Sequence, residues 1–197
     1  MAVGTLLVAG CTGAPVTSTG ATANPNDARN LLVASAAQGP VPLVVDAVPP
    51  AFPGGTAQIA GTASAATSWL GATFTPVALA DADPARRRVV FRFETVPPDP
   101  VAVCAGTASQ GPLPPPPARL FAVYCDGARP VADVTGTAAA DGPAAADALV
   151  TSVTNRLFPG NSAAGYSNGI PGVTFGLGVG RGSGGGSGWG MGSGLFF

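Results

Sequence analysis

Three cysteines, Cys11, Cys104 and Cys125, are the side chains of this 197-residue chain with the most chemistry open to them. A thiol can be acylated, oxidised to a disulfide or bound to a metal. The usual companions of catalysis are missing around them. All nine basic residues are Arg, and there is no Lys and no His. Without His the chain lacks the commonest general base and the commonest metal ligand. A Ser or Thr nucleophile has neither His nor Lys to activate it. Three Cys alone do not complete a structural zinc shell, so no metal and no cofactor is expected. The ten acids are spread thinly. Asp81 and Asp83 stand two apart beside Pro84, where Asp commonly bonds its own backbone. Gly180 to Gly185 matches GxGxxG in form only, because the pattern arises by chance in so Gly-rich a tract. No catalytic residue is assigned, and the chain is not expected to be an enzyme.

Composition narrows the classes further. Only 10% of residues are charged, against about 25% in ordinary soluble proteins, and the formal net charge is −1. No basic surface is available to hold a nucleic-acid backbone, so no nucleic-acid partner is expected. Arg86-Arg87-Arg88 is the one charge cluster. It reads as a solvated approach to a strand, or as a contact for anionic headgroups worth about 1 kcal/mol per Arg. No apolar run reaches the roughly 20 residues of a membrane-spanning helix.

The first eleven residues say most about location. Ala2 to Ala9 are small and apolar, and Leu7-Val8-Ala9-Gly10-Cys11 follows. This run resembles the lipobox of bacterial lipoproteins. The resemblance implies cleavage before Cys11, lipidation of its thiol and acylation of its new amino group. Two or three acyl chains suffice for stable anchoring. Thr12, rather than Asp, follows the Cys, which by the same resemblance directs the protein to the outer membrane. The leader lacks the Lys or Arg such leaders carry. That departure points either to a start codon upstream or to a fortuitous match.

The elements that must position the other two cysteines come next. Residues 1–10 read as signal peptide and 11–38 as a lipidated flexible tether, poor in large apolar side chains. Residues 39–160 read as one α+β domain. Pro42–Val48 is an apolar β-branched strand, and Thr56–Leu70 a helix with Ile59, Ala63, Ala66 and Leu70 at helical spacing. Thr73–Leu79 and Arg88–Glu94 are strands. In the second, Val89, Phe91 and Phe93 point to the core while Arg88, Val90, Arg92 and Glu94 point to water. Arg119–Cys125 and Val131–Thr137 form a hairpin about Asp126-Gly127. Ala146, Leu149, Val150, Val153 and Leu157 stripe a helix that stops at Phe158-Pro159-Gly160. The expected fold is a small antiparallel sheet of three to five strands with two helices on one face, in the order β-α-β-β-β-α.

Cys104 and Cys125 flank a Pro-rich loop, and Pro114–Pro117 within it is expected to be extended polyproline II. Each Cys ends a strand-like segment, Val101–Val103 and Phe121–Tyr124. If Cys11 is acylated, an even pair is left, and exported proteins pair their thiols. A Cys104–Cys125 disulfide is therefore expected. Residues 161–197 are a Gly-rich low-complexity tail in which Val173, Phe175, Leu177 and Val179 alternate with Thr or Gly. It reads as a disordered tail or as a self-association segment.

Three function classes follow. The first is a non-enzymatic envelope lipoprotein, held at the outer membrane and serving assembly or binding an envelope protein partner. The element order resembles that of small bacterial lipoproteins in outer-membrane assembly and export. The second is a surface structural or adhesive component that self-associates through the tail. The third is an enzyme, which the absence of His opposes, and a soluble domain with no lipid anchor is the remaining alternative.

Overall fold

Residues 14–20 and 25–160 are described by the structure, a computed structural model. Strand β1 (Val16–Thr19) and helix α1 (Pro25–Ala36) come first, inside the stretch expected to be tether. Pro25 opens α1 and Asp27 lies in its first turn, both suited to a helix start. Ala28 and Leu32, four apart, are fully buried and hold α1 to the core. The tether reading failed because two well-placed side chains are enough to dock a helix that composition alone marks as polar.

The remaining elements are β2 (Val41–Asp46), α2 (Gly55–Ala66), β3 (Phe74–Val77), β4 (Arg88–Arg92), α3 (Pro100–Cys104), β5 (Arg119–Asp126), β6 (Arg129–Thr137) and α4 (Pro143–Leu157). The strands form one six-stranded sheet in the order β1-β6-β5-β4-β2-β3. β2 runs parallel to both β3 and β4, while β4, β5, β6 and β1 pair antiparallel. The class is α+β as expected. The small antiparallel sheet with two helices is corrected to a six-stranded mixed sheet with four helices among the described residues. The 12-residue α2 between β2 and β3 supplies the long crossover that parallel strands require.

One face of the sheet carries the main core. Ile59, Ala60 and Ala63 of α2 and Leu149, Val150, Val153 and Leu157 of α4 are buried there against Leu43, Val89, Phe91, Leu120 and Tyr124. The α4 stripe read from the sequence is the buried one. Gly136 on β6 admits α4 closely: a Cβ there would lie 2.5 Å from Val153 Cγ2 and 2.8 Å from Leu149 Cδ1.

The other face is not wet. Val44, Val90, Phe121, Val123 and Cys125 form a second buried cluster with Val103 and Cys104 of α3. Val101–Val103, expected as a strand, lies in helix α3 because Asp99 caps it, accepting from Val101 N–H at 3.1 Å, and Pro100 follows. From α3 a Pro-rich strap, residues 105–118, returns to β5. Its Pro114–Pro117 run is not one continuous polyproline II segment: the chain bends at Pro116–Pro117, whose peptide bond is cis.

Candidate functional site

Polar chemistry gathers on the second face of the sheet, where alternation on β4 places Arg88 and Arg92 beside Val90, with Glu94 just beyond the strand. Arg88 is 4% exposed and Arg92 3% exposed, so both guanidinium groups had to leave water. Burying an unpaired charge is costly, and each is compensated in a different way.

Arg88 is compensated by main-chain carbonyls. Its Nη1 donates to Pro84 O at 2.9 Å, Arg86 O at 3.1 Å and Gly127 O at 3.3 Å. Its Nη2 donates to the carbonyl oxygen of Cys104. One side chain thus ties together the approach to β4, the β5–β6 turn and the C-terminus of α3. Burial pulls its pKa below the ordinary guanidinium value, and the Asp83 charge opposes that shift.

Arg92 is compensated by carboxylates. Its Nη2 lies 3.1 Å from Asp46 Oδ2 on β2, and its Nε lies 2.6 Å from Glu94 Oε1. Nη2 also donates to Ser109 O at 2.8 Å, which fastens the strap from below. Gly111 of the strap sits over Glu94: a Cβ there would come within 2.8 Å of Oε2. Two carboxylates share one guanidinium, leaving the cluster one negative charge in excess. The shallow pocket beside it, bounded by Asp46, Leu79, Val90, Arg92 and Val103, holds about 20 Å³. That is room for a water molecule and not for an organic substrate. The cluster is built to hold the strap down.

Cys104 and Cys125 are brought together, with Cα atoms 5.5 Å apart and their sulfurs joined. The pairing expected from the sequence is therefore present, although Cys104 reaches it from a helix rather than a strand. Cys125 stands opposite Arg88 in the β4–β5 register, so the disulfide and the Arg88–Cys104 bond close the same corner.

Other sequence expectations are redistributed. The Arg86–Arg88 cluster is not a solvated run: Arg88 is buried, and Arg87 Nε pairs with Asp126 Oδ1 at 2.9 Å. Asp83 Oδ1 accepts from Ala85 N–H at 2.9 Å, the backbone role expected of it. Among the described residues no three His, Cys, Asp or Glu side chains gather as metal ligands. Cys11, the Gly180–Gly185 pattern and the tail at 161–197 lie outside the described residues.

The Arg92–Asp46–Glu94 cluster was missed by sequence reasoning. A signal existed in β5, where Leu120–Cys125 is an unbroken apolar run. Such a run marks a strand covered on both faces, and its neighbour β4 then has no wet face for Arg92 to occupy. No protein-family model matches the chain, and neither a curated protein nor a solved structure matches it.

Proposed function

We propose that this chain is a non-enzymatic lipoprotein of the bacterial envelope, anchored at the outer membrane through acylated Cys11. Its α+β domain would serve as a module for assembly or for binding an envelope partner. The observation that carries this proposal is the partition of the cysteines. Cys104 and Cys125 are joined to each other, so the one cysteine left over is the one that ends the lipobox-like Leu7–Cys11. A disulfide belongs to an oxidising compartment, and acylation of the third thiol belongs to the same export route. No helix among the described residues is long and apolar enough to cross a membrane, so attachment would rest on the lipid.

The test is the intact mass of the N-terminal peptide from membranes of a Gram-negative host, with a basic leader supplied upstream. A peptide beginning at acylated Cys11, and its loss from the membrane fraction in Cys11→Ser, supports the proposal. An unmodified N-terminus in the soluble fraction overturns it.

A further inference from the structure

The two ends of the sheet differ in the apolar side chains they expose. At one end β2, β3, β4 and β6 finish and β1 and β5 begin, as the pairs Val16↔Thr137, Arg119↔Thr137, Asp46↔Arg92 and Val44↔Val77 place them. The segments 47–53, 95–98, 111–118 and 138–140 there contain no charged residue, while Asp81 follows β3 and Asp99, Arg119 and Asp141 border the others. Arg119 Nη1 donates to Thr95 O, and Thr95 Oγ1 donates to Pro112 O at 3.4 Å, so the second and third segments lie side by side. Val16 is 75% exposed, Val96 71% and Leu113 46%, with exposed prolines between them. At the opposite end stand Arg86, Arg87, Asp126 and Arg129, with Arg87–Asp126 at 2.9 Å and Arg129–Asp126 at 3.7 Å.

β1 begins at the end that bears Val96 and Leu113, and Cys11 is five residues before Val16. Five residues reach at most about 18 Å when fully extended. The nine residues of β6 span about 30 Å between the two ends. An anchor on Cys11 therefore cannot let the charged end turn down onto the membrane. It holds the Pro-rich end near the bilayer, where exposed Val and Leu side chains gain by entering the interface. Such contact is weak alone, but the anchor supplies a high local concentration.

We infer that the end bearing Val16, Val96 and Leu113 rests on the lipid surface, so that the domain stands on the membrane with its charged end outward. This rests on the anchoring proposed above for Cys11. The experiment removes that dependence. The purified full chain is coupled through the Cys11 thiol to maleimide-headgroup lipid in phosphatidylethanolamine–phosphatidylglycerol vesicles. Its hydroxyl-radical footprint is compared with that of the same chain capped by a water-soluble maleimide. The expected result is loss of oxidation at Val96 and Leu113 on vesicles, with unchanged oxidation at half-exposed Trp69, which precedes β3 at the opposite end. Unchanged oxidation at Val96 and Leu113 overturns the inference, as does protection of Trp69 in their place. Because the coupling is chemical, these outcomes are independent of whether cells acylate Cys11, which the N-terminal mass decides separately.

Discussion

Arg88 donates to the carbonyl oxygen of Cys104, the residue whose side chain is joined to Cys125, and Cys125 faces Arg88 across the β4–β5 ladder. A covalent bond and a charged hydrogen bond therefore close one ring at the corner where α3 meets the sheet. The arrangement explains how an Arg can be 4% exposed: four carbonyl oxygens share its charge, and the Asp83 charge acts in the same sense. It also makes the strap dependent on two fasteners that act at the same place.

Removing the guanidinium leaves several carbonyls without their donor. Charged hydrogen bonds contribute roughly 1.5–3 kcal/mol each, and water can reach some of these oxygens once the side chain is gone. Arg88→Ala is expected to cost about 3 kcal/mol in urea unfolding. Arg88→Lys should recover less than half, because an ammonium cannot reproduce the fork that spans Gly127 and Cys104. A lysine variant as stable as the parent would show that only the charge matters.

The disulfide closes a loop with a sequence separation of 21 residues. In the chain-entropy model that constraint stabilises by about 3 kcal/mol. Cys104→Ser with Cys125→Ser should lower the unfolding free energy from urea titration by about 3 kcal/mol, and reductant should then destabilise the parent but not the variant. Since both fasteners hold one corner, adding Arg88→Ala to the serine pair should cost less than in the parent. Strictly additive losses would mean that the two act on separate parts of the fold.

The sequence made some of this corner legible and hid the rest for identifiable reasons. Asp126-Gly127 between two strand-like runs marked the β5–β6 hairpin, and Ala146 to Leu157 marked α4, because both patterns are local. The parallel pairing of β2 with β4 is not local: β3 is next to β2 in sequence yet takes the sheet edge. Asp99-Pro100 is a helix start, but the β-branched Val101 and Val103 beside it favoured a strand, and the cap prevailed. Arg92 and Glu94 looked solvated because alternation reports that two faces differ, not that one of them is wet. The cover is the strap, whose lack of regular periodicity gave no reason to place it over the sheet.

Arg92 holds Asp46 and Glu94, whose side chains are 15% and 7% exposed. Breaking a buried ion pair by removing one partner typically costs 3–5 kcal/mol, because the other charge is left behind. Arg92→Met should therefore destabilise by roughly 3 kcal/mol or more. Combining it with Asp46→Asn and Glu94→Gln should restore much of the loss, since no uncompensated charge then stays buried. The triple variant should also show faster hydrogen exchange at Thr107 and Ala108, whose N–H groups donate to Ala102 O at 2.9 and 3.1 Å, because the strap loses its anchor at Ser109 O. A triple variant less stable than Arg92→Met would contradict the charge explanation.

Tyr124 supplies a pH dependence. Its ring is fully buried, edge-on to Phe158 with centroids 5.3 Å apart, and its hydroxyl lies 3.1 Å from Ser35 Oγ. Burial raises its pKa above the ordinary phenol value, and the Ser35 hydrogen bond offsets part of that rise. In the unfolded chain the phenol ionises near pH 10. Above that pH the unfolded state releases its proton while the folded state still keeps it, so stability falls as pH rises toward the folded pKa. Below about pH 10 both states are protonated and the contribution is constant. Tyr124→Phe gives up the Ser35 bond, at about 1 kcal/mol near neutral pH, but it removes this alkaline loss. Urea midpoints measured from neutral to strongly alkaline pH should fall more steeply for the parent than for Tyr124→Phe, so the two curves converge. Parallel curves would mean that the Tyr124 phenol ionises as readily in the folded protein as in the unfolded chain.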